Sequence, residues 1–129
     1  MLANVAYEFT ALLLAGKVEE AADKHWAQDI VVIKPSILGD NTVQQCRGFD
    51  TARSRLSGWL QHHKIEDISI DGPCITGNQF ALFVYMQILN IASGNVKNFS
   101  EIATFTVKGD KIIEERFFYP RAEGDEKEQ

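Results

Sequence analysis

Cysteine is scarce in this 129-residue chain: only Cys46 and Cys74 occur, far apart and without a CxxC pair. Neither a disulfide framework nor a zinc site is indicated, and a reducing, cytoplasmic setting fits best. No stretch approaches the roughly 20 apolar residues that cross a bilayer, so no membrane partner is expected. The first fourteen residues resemble a signal peptide only superficially. They lack a basic n-region, Glu8 interrupts them, and their apolar residues repeat at helical spacing, so a helix of the mature fold is expected. Basic residues are also few, 13 against 18 acidic ones for a net charge of −5. Arg53 and Arg55 are the nearest thing to a basic cluster, which argues against a nucleic-acid partner. Gly72, Gly77, Gly94 and Gly109 are spaced turn residues and form no phosphate-cradling loop. No metal or cofactor is expected, and the sequon Asn98-Phe99-Ser100 is read as chance without a secretory signal.

What is there suffices for one core, since 45% of the residues are hydrophobic and 24% charged. A single domain over 1–120 is expected, followed by a charged, disordered tail over 121–129. Leu2, Val5, Ala6, Phe9, Leu12 and Leu13 share one helical face, and Gly16 supplies the stop. Val18, Ala21, Ala22 and Trp26 predict a second short helix running into the strand Ile30–Ile33, which Pro35 ends. Ser36 to Cys46 reads as a loop bordering a pocket mouth. Asp50 or Thr51 is expected to cap a third helix whose buried stripe is Ala52, Leu56, Trp59 and Leu60. Four strands follow, Ile65–Ile75, Gln79–Ile91, Val96–Lys108 and Lys111–Tyr119, joined by short turns that make consecutive antiparallel neighbours.

Helices first and a meander afterwards define an α+β layout. The strand Phe80–Ile91 is apolar at its even positions and also at Ala81, Phe83, Tyr85, Leu89 and Ile91. A strand apolar on both sides needs cover on both sides. Helices can cover only one, so a homodimer through the sheet is expected, with Phe83, Tyr85 and Leu89 at the contact.

The runs Phe9–Ala21, Trp26–Val32 and Arg47–Ala52 resemble the helix, glycine turn, strand and helix start of SnoaL-like proteins in the nuclear transport factor 2-like superfamily. Phe105–Tyr119 is similar to their final hairpin. The resemblance covers about residues 3–120. It implies a strongly curved, mostly antiparallel sheet forming a cone, with three helices from the N-terminal half packed on its concave face around one pocket. In the ketosteroid isomerases of that superfamily an aspartate base works beside an oxyanion hole of a tyrosine and a protonated aspartate, an example the general physics of pKa tuning often uses. The resemblance carries those roles to Phe9, Lys34 and Ala103, none of which can perform them.

Strand parity selects what remains. Residues two apart share a face, so Glu101 falls with Phe99, Ala103, Phe105 and Val107. Glu115 falls with Ile113, Phe117 and Tyr119, and Lys34 with Ile30 and Val32. A charge on an apolar face needs a partner or water, which makes Lys34 with Glu101 or Glu115 the sharpest candidate catalytic site. Its plain alternative is that Glu101 sits at a wet strand edge, Glu115 pairs with Arg116, and Lys34 reaches solvent. Trp26, Met86, Phe105, Phe117 and Tyr119 are expected to wall a pocket for a small, partly apolar molecule. His62 and His63 read as an exposed helix end, and His25 as a helix-end histidine. Two functions follow: a small-molecule pocket with an isomerase, cyclase, lyase or hydrolase activity of unknown substrate, or a non-catalytic dimeric protein-association module using the sheet face.

Overall fold

The computed structural model describes residues 2–35 and 43–119. Helix α1 spans Leu2–Leu14 and buries Val5, Ala6 and Phe9 on one face. It stops at Gly16, whose φ of 78° lies in the left-handed region open to glycine. There Lys17 N–H donates to Leu12 O and Gly16 N–H to Leu13 O, which satisfies two carbonyls the helix end leaves free. Helix α2 is Val18–His25. Strand β1, Trp26–Pro35, begins four residues earlier than the β-branched run implied. Trp26 is therefore the first residue of a strand and not the last of a helix.

Two further readings of this half need correction. Part of the expected loop Ser36–Cys46 is strand β2, Val43–Arg47, antiparallel to β1 with Val32 opposite Cys46. Its strand character was hidden because it is a short edge strand in which only Cys46 is buried, so it shows no apolar alternation. Helix α3, Phe49–His62, starts one residue before the expected cap. Gly48 takes the N-cap position at φ 94° without a side-chain cap, and its N–H donates to Ile30 O at 2.8 Å. The sheet itself fixes the start of this helix.

The meander is β3 (His63–Thr76), β4 (Gln79–Asn90), β5 (Val96–Lys108) and β6 (Lys111–Phe118), each antiparallel to the next. Strand β1 joins it parallel to β6, giving one six-stranded mixed sheet in the order β2-β1-β6-β5-β4-β3. The sheet is curved and unclosed, and the three helices pack on its concave face, as expected. Phe80, Leu82 and Val84 of β4 point into the core with Ala103, Phe105 and Val107 of β5. Phe80 stacks on Phe105 at 4.6 Å, and Phe9 of α1 meets the Phe105 ring edge-on at 5.1 Å.

Strict alternation fails in β6. A register shift sets Thr106 opposite Glu114 but Val107 opposite Ile112, leaving Ile113 as an extra residue. Ile112 is fully buried where Ile113 was expected, and the inward set becomes Ile112, Glu115 and Phe117. The expected tail 121–129 lies outside the described residues, as does 36–42.

Candidate active site

The concave face encloses a cavity of about 1010 Å³. Its apex is apolar, made by Phe9 of α1, Leu82 of β4 and Phe105 of β5. Toward the other end the lining turns polar, with exposed Asn90, Asn95 and Lys97 at the β4–β5 turn. Lys34, Glu101 and Glu115 all line this one cavity, as do Trp26, Met86, Phe117 and Tyr119. Phe105 lines it too, although its stacking on Phe80 makes it as much core as wall.

Glu115 is 5% exposed, the only acidic side chain among the buried residues described. Its Oε2 accepts a hydrogen bond from the indole N–H of Trp26 at 2.6 Å. Burial pushes its carboxyl up to about 7, against the stabilising Trp26 hydrogen bond and the Lys34 charge, while Glu101 adds a further push upward. Glu101 is half-buried, and burial raises it likewise to about 7, with Lys34 pulling the other way. Tyr119 rises above the ordinary phenol value, first by burial and then through the Glu101 charge. Two carboxyls poised near neutrality in one cavity can each hold or release a proton at physiological pH, as general acid–base chemistry requires.

The expected direct ion pair is absent: among the described residues no carboxylate lies within 4.0 Å of the Lys34 ammonium. Lys34 instead sits 5.6 Å from the centre of the Phe117 ring, in cation–π range, and acts on both carboxyls through space. The alternative pairing of Glu115 with Arg116 is also absent, because Arg116 approaches Glu114, at 3.4 Å. Trp26 was expected only as an apolar wall. Its role as the Glu115 donor was invisible in sequence because the two residues are 89 positions apart.

Sequence reasoning also missed Arg55 and His63, which line the same cavity. His63 stacks on Trp59 at 4.5 Å, and its Nδ1 lies 3.1 Å from Trp59 O. A carbonyl only accepts, so neutral His63 carries its proton on Nδ1 and keeps Nε2 as an acceptor. A repeat of aromatic and basic residues one helical turn apart, Arg55 and Trp59 with His63 beyond, was the signal available. His62 is exposed, as expected. His25 is buried at the end of α2 with Nε2 3.2 Å from Glu8, and burial holds its imidazole below the usual value despite that carboxylate. Among the described residues no group of three or more His, Cys, Asp or Glu side chains is placed to hold a metal.

Phe9, Lys34 and Ala103, the positions to which the resemblance carries the ketosteroid isomerase roles, all line the cavity. Nothing at Phe9 or Ala103 can donate to an oxyanion.

The sequence profile described as a SnoaL-like domain matches residues 2–119. No curated protein matches the chain. Among solved structures, a candidate SnoaL-like polyketide cyclase from Mesorhizobium loti, also described as a carbohydrate phosphatase, is 32% identical. The match covers 92% of this chain and 99% of that one with a TM-score of 0.82. A candidate SnoaL-like polyketide cyclase from Jannaschia is 12% identical over 89% of this chain and 85% of its own, at TM-score 0.70. A candidate isomerase from Bacillus subtilis is 12% identical over 93% and 89%, at TM-score 0.75. At that identity the last two speak for the fold alone. With the profile spanning every described residue and one relative at 32% identity over 99% of its length, the chain belongs to the SnoaL-like domain family.

Proposed function

We propose that this protein binds a small, partly apolar molecule in its cavity and moves a proton on it, with Glu101 and Glu115 as the acid–base pair. The observation that carries the reading is that both carboxyls line one cavity and are raised to about 7. One carboxylate takes a proton from a carbon next to a carbonyl, and the other, protonated, returns one elsewhere on the same molecule, so no net proton is consumed. Trp26 orients Glu115, and Lys34 supplies positive charge where an oxyanion develops. The Mesorhizobium loti relative's two descriptions, cyclase and phosphatase, differ in reaction type, so the reaction rests here on side chains and not on that likeness.

The test is deuterium exchange into 2-tetralone, a bicyclic ketone small enough for the cavity, followed by proton NMR in deuterated water. The wild type should exchange at least about 100-fold faster than a Glu101→Gln/Glu115→Gln double variant. Equal rates in the two proteins would remove the acid–base reading.

A second reading, association through the sheet, is favoured by one observation. Phe83, Ile102 and Phe118 lie side by side across β4, β5 and β6 on the convex face, all exposed, with exposed Tyr85 beside them. We propose that a second copy of this chain covers them. The two readings are compatible, because the cavity opens on the opposite face of the sheet.

A further inference from the structure

The cavity carries a charge pattern that the chain as a whole does not. The protein has 18 acidic and 13 basic residues, yet among the described residues its cavity is lined by Lys34 and Arg55 as well as by Glu101 and Glu115. The acidic excess of the chain as a whole is thus absent from the described lining of the cavity. Glu115 is in addition engaged by the Trp26 indole.

Lys34 is the cation at the centre of this pattern. It projects from β1 into the cavity, lies over the Phe117 ring, and has no carboxylate within 4.0 Å among the described residues. Arg55, on the facing helix α3, likewise has none. Lys34 and Arg55 are both exposed at the cavity wall, so an exogenous anion whose apolar body rests on the walls is held beside Lys34 by a charge-assisted contact that a neutral molecule of the same shape lacks. A cationic ligand would have to displace or oppose Lys34 to reach either carboxyl, and both carboxyls are held toward their neutral forms by burial.

We propose that the cavity selects an apolar molecule carrying one oxyanion, a carboxylate, sulfonate or phosphate, and that Lys34 is its counter-ion. This rests on the reading of the cavity as a ligand site and deepens it. The anion fixes which end of the molecule lies beside Glu101 and Glu115. The apolar body then extends toward Phe9, Leu82 and Phe105.

Two fluorescent probes with one ring body test it: 8-anilinonaphthalene-1-sulfonate, which bears the anion, and N-phenyl-1-naphthylamine, which lacks it. Titration of the full chain should give at least about tenfold tighter binding of the sulfonate. Lys34→Met should weaken the sulfonate roughly 10- to 100-fold and leave the neutral probe within about twofold, while Lys34→Arg should keep the preference. Circular dichroism checks that each variant is folded. Neutral binding equal to or tighter than sulfonate binding overturns the anion inference while leaving the ligand site standing. A sulfonate preference unchanged in folded Lys34→Met also overturns it, since the anion then sits elsewhere, such as on the convex apolar face. Failure of both probes to bind overturns the ligand site itself and this inference with it.

Discussion

Trp26 and Glu115 join the first residue of β1 to the middle of β6 through a 2.6 Å indole-to-carboxylate hydrogen bond inside the cavity. The bond holds a carboxyl, 5% exposed, in a fixed orientation among apolar walls. Removing the donor strands that carboxyl when it is ionised. Trp26→Phe should therefore cost about 1–3 kcal/mol at pH 8 and distinctly less at pH 5, where the neutral acid is cheaper to bury. Urea unfolding of both proteins at the two pH values measures the difference. An equal cost at both would show that the loss is one of packing alone.

Glu101 and Glu115 set a second expectation. Their folded values of about 7 lie above the ordinary 4.5, so between those limits the folded state binds more protons than the unfolded one. Stability is then fully present below about 4.5 and declines as pH rises through 7. Glu115→Gln keeps an oxygen to accept from Trp26 but cannot ionise, and should flatten this decline. Relative to wild type it should gain on the order of 1–3 kcal/mol between pH 5 and pH 8. Parallel denaturation curves across that range would show that burial of the carboxyl is not the controlling factor.

Phe83→Glu tests the proposed pairing of convex faces. Phe83 is 38% exposed in the single chain and faces Ile102 in the ladder, so a charge there meets apolar surface from a second copy. Light scattering at micromolar concentration should report a dimer for the wild type and a smaller particle for the variant. A monomeric wild type sinks the pairing.

Turnover of a β,γ-unsaturated ketosteroid should be absent at the rate of roughly 1 per second or more typical of enzymes. The side chains of Phe9 and Ala103 offer no donor to a dienolate oxygen, and the resemblance sets Lys34 where that reaction needs a carboxylate base. Turnover at an enzymatic rate would show that the three positions do not correspond as assigned.

The elements that sequence made legible are those with strong period. The α1 stripe around Phe9, the two-faced β4 and the alternation of Phe99, Glu101, Ala103 and Phe105 need only local geometry to be read. Lys34, Glu101 and Glu115 were brought together by parity, because parity in a curved sheet decides which side faces the helices. What failed was what depends on a partner. The strand character of Val43–Arg47 comes from its ladder with β1, and Gly48 begins α3 through Ile30 O. The Trp26–Glu115 bond depends on the parallel pairing of strands at opposite ends of the chain.

The extra residue Ile113 has a consequence for chain length. Strict alternation from Ile112 through Ile113, with no bulge to absorb the extra residue, would send Glu114 and Arg116 inward and turn Glu115 and Phe117 out to the convex side. Deleting Ile113 alone would leave Ile112, Glu115 and Phe117 in phase on an unbroken strand, whereas an insertion after Glu114 would exchange the inner and outer sets beyond it. The same eight-residue strand thus tolerates losing a residue at one position and is inverted by gaining one at its neighbour, so a single codon's worth of length decides whether this cavity contains an acid at Glu115.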